Sequence, residues 1–247
     1  MRRAVPPLLL LAAGVAVWQV VVRAAHVPDY EFPAPSAVAR SLWDDRSLLW
    51  HGALVTVREV VLGYLLAVGA GLAVAVPIHL SAGLRRAVLP LLVLSQTVPT
   101  VVLAPILAIL LGYGLEPKLV VVAIVCFFPV VVNAVDGLRG ADPELARMMR
   151  TLHAGRGAIL RRVELPGALP SIFSGARVAA AYAAVGAVFG EWAGSSSGLG
   201  FLMLQAEPSL DTPRIFACVL VLSALALALY GLVTLAERLV VPWKAEV

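Results

Sequence analysis

Six long apolar runs, at residues 5–22, 54–80, 88–111, 119–135, 172–189 and 215–235, dominate this sequence and decide what it can fold into. A helix needs about 20 residues to cross the hydrocarbon core of a bilayer. The chain is 61% hydrophobic and 14% charged, against roughly 45–50% and about 25% in soluble domains. A water-soluble core cannot absorb that excess, and disorder is excluded by the same apolar content. The expected fold is therefore all-α, a polytopic membrane protein with six transmembrane helices. The length predicts a single transmembrane domain over 1–247. It comprises a first span with an outer segment at 1–53 and a core at 54–243.

The first run follows Met1-Arg2-Arg3, as a signal peptide would, but it stays apolar as far as Val22 and is read as a retained helix. The sequence pI of 9.4 would suggest nucleic acid in a soluble protein. Here the placement of charge matters more, and no nucleic-acid partner is expected. Twelve Lys or Arg residues fall in segments 1–4, 81–87, 136–171 and 236–247, against five in the alternate segments. Asp29, Glu31, Asp44, Asp45, Glu116, Glu191, Glu207 and Asp211 all fall in the alternate set. The positive-inside rule then places both termini in the cytoplasm. Arg177, near the inner end of the fifth run, is expected to snorkel to the interface. Between the first two runs, Pro28, Pro33 and Pro35 predict an extended start. Ser36–Trp43 then reads as an amphipathic helix at the outer interface, with Trp43 and Trp50 as anchors.

The most informative segment is the cytoplasmic loop at 139–171. Asp142-Pro143-Glu144 supplies an N-cap, a proline at the first helical position and an acid in the first turn. Leu145, Met148, Met149 and Leu152 recur at i, i+3, i+4 and i+7 and form one apolar stripe. Arg147 and Arg150 lie on other faces. A second short amphipathic piece over 158–165 carries Arg161 and Arg162 and is expected to stop at Pro166. Such a pair suits either a groove on a partner protein or an anionic lipid surface.

Arg147-Met148-Met149, His153 and Val163-Glu164-Leu165-Pro166 have the spacing of the EAA motif of bacterial ABC importer permeases, and the sequence resembles that family over roughly 30–243. It looks closest to the nitrate/taurine/sulfonate type. The stretch 190–203 and the closing Val241-Pro242-Trp243 resemble the branch handling hydroxymethylpyrimidine, a thiamine precursor. Two departures stand out: Arg147-Met148-Met149 replaces Glu-Ala-Ala, and His153 replaces a glycine that would permit positive φ. Either His153 bears the left-handed cost or Gly155 makes the turn.

The resemblance implies a type I ABC importer permease fold in the bacterial inner membrane. It implies a second copy of the chain to complete the pore, two copies of an ABC ATPase and a solute-binding protein outside. The ATPase-coupling residues would be Arg147, Met148, Met149, Leu152, His153, Ala154, Gly155, Val163, Leu165 and Pro166. The chain itself would hydrolyse nothing and would need no cofactor or metal.

Ser95-Gln96-Thr97 with Pro99 interrupts the third run. These polar residues suit either a translocation path or helix–helix hydrogen bonds. Gln96, Thr97 and Glu191 are the path candidates, and Glu191 has Arg214 as an alternative partner. Asn133 and Asp136 are expected to cap the inner end of the fourth run. Small residues crowd the fifth run from Gly175 to Ala187 and predict a close-packing face, suited to a dimer seam, rather than a ligand face. A stand-alone ion-driven carrier would need ionisable residues in the span centres, and the runs hold almost none. An enzyme reading fails as well. Gly194-Ser195-Ser196-Ser197-Gly198 matches G-x-S-x-G, but no histidine follows it, and the four histidines form no metal-spaced pair. Cys126 and Cys218 read as small buried hydrophobes.

Overall fold

The computed structural model describes residues 5–243, and among these the secondary structure is helical throughout, with no strand. In chain order the helices are α1 (Val5–Ala24), α2 (Pro35–Asp44), α3 (Arg46–Leu80), α4 (Ala82–Ser95), α5 (Thr100–Leu111) and α6 (Glu116–Arg139). They are followed by α7 (Pro143–Thr151), α8 (Arg156–Ile159), a π turn (Leu160–Glu164), α9 (Leu165–Trp192), α10 (Leu199–Ala206) and α11 (Thr212–Val240).

Local chemistry fixes where these helices start. Extended Ala34 leads into Pro35 at the first position of α2, where a missing N–H costs nothing. The Ser81 hydroxyl accepts Leu84 N–H at 3.2 Å and caps α4. Asp142 Oδ1 accepts Glu144 N–H at 2.7 Å and caps α7.

Four helices are long and apolar enough to cross a membrane: α3, α6, Arg156–Trp192 and α11. The third run, expected as one kinked span, is instead two helices, α4 and α5, bent by 96°. Pro99, the residue before α5, cannot supply a backbone donor to continue α4. Counting the bent pair as one span gives five, and Leu9–Ala24 is a shorter apolar helix. The expected stop at Pro166 is overturned. The chain passes from α8 through the π turn into α9 as one continuous helix, Arg156–Trp192. A π turn widens the helix by one residue, which accommodates the proline ring that would otherwise meet the preceding turn.

The chain forms two compact units, Met1–Thr56 with Ser196–Ser223, and Val57–Ser195 with Ala224–Val247. In the first, Trp18, Phe32 and Phe216 stack with ring centroids 5.6–5.9 Å apart. Arg214 forks onto Asp45 at 3.0 and 3.1 Å and also pairs with Asp211. In the second, α6 and α9 pack face to face around Cys126, Val130, Ala179, Ala180 and Ala183. The small-residue face of α9 is thus an intrachain seam. A Cβ at Gly175 would sit 2.6 Å from both Asn133 Cβ and the Pro129 carbonyl oxygen, so only glycine admits this approach.

Candidate functional site

The segment that most resembles a docking device is α7 with the turn after it. The amphipathic stripe is out in the open: Leu145, Met148 and Leu152 are 46%, 53% and 69% exposed. Met149 is half-buried, and Arg147 and Arg150 on the same helix are exposed, as are Arg161 and Arg162 in the π turn. An apolar ridge rimmed by guanidinium groups is left uncovered by the described residues.

The turn after α7 answers the question that His153 raises. His153 has φ +59° and occupies the left-handed position itself. Its N–H donates to the Arg150 carbonyl at 3.0 Å, and Ala154 N–H donates to the Met149 carbonyl at 2.9 Å. This pair of bonds is a Schellman closure, which glycine usually makes. Gly155 has φ −68° and instead precedes α8.

The other side of the loop is fixed by a buried carboxylate that the sequence reading passes over. Glu164 accepts from Arg156 Nη1 at 2.5 Å. Its second oxygen lies 2.9 Å from His79 Nε2, which is itself 3.0 Å from Arg156 Nη2. Glu164 is 7% exposed, and His79 Nδ1 is buried without a partner. Three charged or titratable groups therefore tie the end of α3 to the α7–α9 segment. Val163, Leu165 and Pro166, from the same predicted motif, are half-buried around this tie, whereas Ala154 is half-buried and Gly155 exposed in the turn.

The break between α4 and α5 opens a second feature, a cleft of about 600 Å³. Ser95, Gln96, Pro99 and Thr100 line it from the break, Phe128, Pro129 and Asn133 from α6, and Val178 and Tyr182 from α9. Of the three path candidates the structure brings Gln96 here. Thr97 turns away, its hydroxyl donating to the Leu94 carbonyl at 2.8 Å. Glu191 lies at the end of α9, fully buried and off the cleft lining. Arg214 is committed to Asp45 and Asp211. Asn133 is no cap: its amide donates to the Pro129 carbonyl at 2.8 Å, and its side chain reaches the cleft wall.

The spans also hold more ionisable groups than their apolar runs suggest. Lys118 donates to Glu59 and to Ser195, each at 2.7 Å, with Glu59 1% exposed. Arg177, expected to snorkel, pairs with buried Glu237. Glu59 and Arg177 lie inside apolar runs, and their partners are 59 and 60 residues away. Among the described residues, no group of three or more His, Cys, Asp or Glu side chains is placed to hold a metal ion.

The family model described as "Binding-protein-dependent transport system inner membrane component" matches residues 63–243. A probable ABC transporter permease protein of Haemophilus influenzae is 38% identical, over 92% of this chain and 93% of that protein. The formylaminopyrimidine transport permease protein ThiX of Halalkalibacterium halodurans is 30% identical, over 99% of this chain and 98% of its own. Among solved structures, the MetNI methionine ABC transporter in inward-facing conformations matches with TM-score 0.62 at 18% identity. That match covers 85% of this chain and 98% of the other, and it shows a shared fold.

Proposed function

This chain belongs to the binding-protein-dependent transport family of inner membrane components, and from that premise we propose how its parts divide the work of an importer. It is a multi-pass inner-membrane permease subunit of an ABC importer, working with an ATPase and a solute-binding protein. The finer reading is ours. The chain acts as one transmembrane domain with six spans, counting α1 and the broken α4–α5 pair as one span each. Both termini and the α7 loop lie in the cytoplasm. A second copy completes the pore, and each copy engages one ATPase.

In this reading α7 and the His153 turn enter a cleft on the ATPase. Met148, Met149 and Leu152 fill it, while Arg147 and Arg150 meet carboxylates on its rim. Ala154 and Gly155 shape the exit from the turn, and Val163, Leu165 and Pro166 join the docked segment to α9. Movement of the ATPase pair then tilts α9 as a rigid lever between two states. The cargo is a small polar solute, of the hydroxymethylpyrimidine or the sulfonate and nitrate class. Gln96 lines its route, while Thr97 and Glu191 shape that route from behind its surface. The 69% exposure of Leu152, at the end of a helix whose apolar stripe the described residues leave uncovered, carries this reading.

Replacing Leu152 with Asp places a charge where an apolar contact is expected. Recovery of the ATPase with the tagged permease from membranes should fall at least tenfold, with membrane insertion unchanged. Undiminished recovery would remove the docking assignment.

A further inference from the structure

We propose that the cleft at the α4–α5 break passes an uncharged heteroaromatic solute and rejects oxyanions such as sulfonates. This rests on the reading of the chain as an importer permease and extends it to the charge of the cargo. None of the residues lining the cleft is Asp, Glu, Lys, Arg or His. An anion leaving water needs a cation or several converging N–H donors, and without them its transfer is strongly opposed.

Three of the donor groups in the lining have partners within the chain. One N–H of the Asn133 amide donates to the Pro129 carbonyl at 2.8 Å. The Ser95 hydroxyl donates to the Leu92 carbonyl at 2.7 Å. Gln96 Nε2 lies 3.5 Å from Ser95 Oγ. Asn133 and Gln96 each also carry a side-chain carbonyl oxygen. Carbonyl oxygens accept from the N–H and O–H groups of an amino-heterocycle and repel a sulfonate. Phe128 and Tyr182 add ring faces for stacking against a flat solute. A volume of about 600 Å³ holds one such ring system with water around it.

The polar break cannot face lipid, because no acyl chain satisfies a side-chain amide or an interrupted backbone. The binding protein decides which solute arrives. The cleft decides what charge can follow it through.

The test uses the whole transporter, this chain with its ATPase and binding protein, in cells lacking other uptake routes for the probes. Uptake of radiolabelled hydroxymethylpyrimidine and of butanesulfonate is followed with and without ATP depletion. The expected result is ATP-dependent pyrimidine uptake at least tenfold above that of the sulfonate. Gln96→Glu and Gln96→Lys should each cut pyrimidine uptake about tenfold, because a neutral cargo gains from neither sign.

Sulfonate uptake equal to or above that of the pyrimidine overturns the proposal. Should either charge prevent assembly with the ATPase, Phe128→Leu is measured instead, with a fivefold loss of pyrimidine uptake expected. Unchanged uptake in that variant overturns the proposal. An assembled transporter that moves neither probe also overturns it while leaving the importer reading intact. Failure to assemble with any ATPase defeats the importer reading itself.

Discussion

Burying the Lys118 ammonium against Glu59 exchanges two hydration shells for a 2.7 Å contact and a second bond to Ser195. Glu59 Oε2 is left buried without a partner. Such a pair adds little net stability over an apolar isostere, but removing one member leaves an uncompensated charge. Lys118→Met should therefore destabilise the purified protein by ~3–5 kcal/mol. The double variant Lys118→Met with Glu59→Gln should recover most of that loss. Thermal unfolding in detergent measures both, and a double variant no better than the single one would mean the charges act independently. Single residues of this kind were only half legible. Glu59 stood out as a charge at the start of an apolar run, but Lys118 read as an outer-loop residue, because charge counting along a chain cannot see a contact across it. His153 is the reverse case. The sequence narrowed the left-handed turn to two residues, and the geometry chose the one with the side chain.

At the scale of elements, the reading was best where a rule is local and weakest where a partner lies across the fold. The cap at Asp142, the proline start of α7 and its apolar stripe all follow from neighbouring letters, and each is present. The continuation through Pro166 was not legible, because a proline predicts a break and the π turn that absorbs it has no letter pattern of its own. The tie from Glu164 to His79 and Arg156 was equally silent, since its ends are 85 and 8 residues apart.

That tie has a mechanical consequence. It fixes α8 and the start of α9 to the end of α3, so a push on α7 reaches two long helices together. Glu164→Gln keeps the shape but removes the charge that holds Arg156. Basal ATP hydrolysis by the assembled transporter should remain within twofold, while solute moved per ATP should fall about fivefold. Equal losses in both would point to a merely structural role.

For the whole molecule, the arginine distribution carries more of the argument than any helix does. Six apolar runs gave the architecture, yet four helices pass the length and composition test, five with the bent pair. The difference lies in α1, whose apolar part Leu9–Ala24 falls short of that test, and in the bent α4–α5 pair, which counts as one span or none. Orientation can be read directly by labelling, because both native cysteines, Cys126 and Cys218, are buried and give no background to a bulky maleimide. Asp44 in α2 and Arg147 in α7 are both exposed, so cysteine at either position is accessible once the reagent reaches its side.

With both termini cytoplasmic, Asp44→Cys should react with a membrane-impermeant maleimide in spheroplasts, and Arg147→Cys only after the membrane is opened. The ratio of labelling before and after permeabilisation should be near one for the first and below about one tenth for the second. The reversed pattern would turn the permease over in the membrane. It would place the α7 loop where no ATPase could reach it, and the docking role would fall with the topology. Equal labelling at both positions would put them on one side, which an odd number of spans between them (α3, the α4–α5 pair and α6) does not allow.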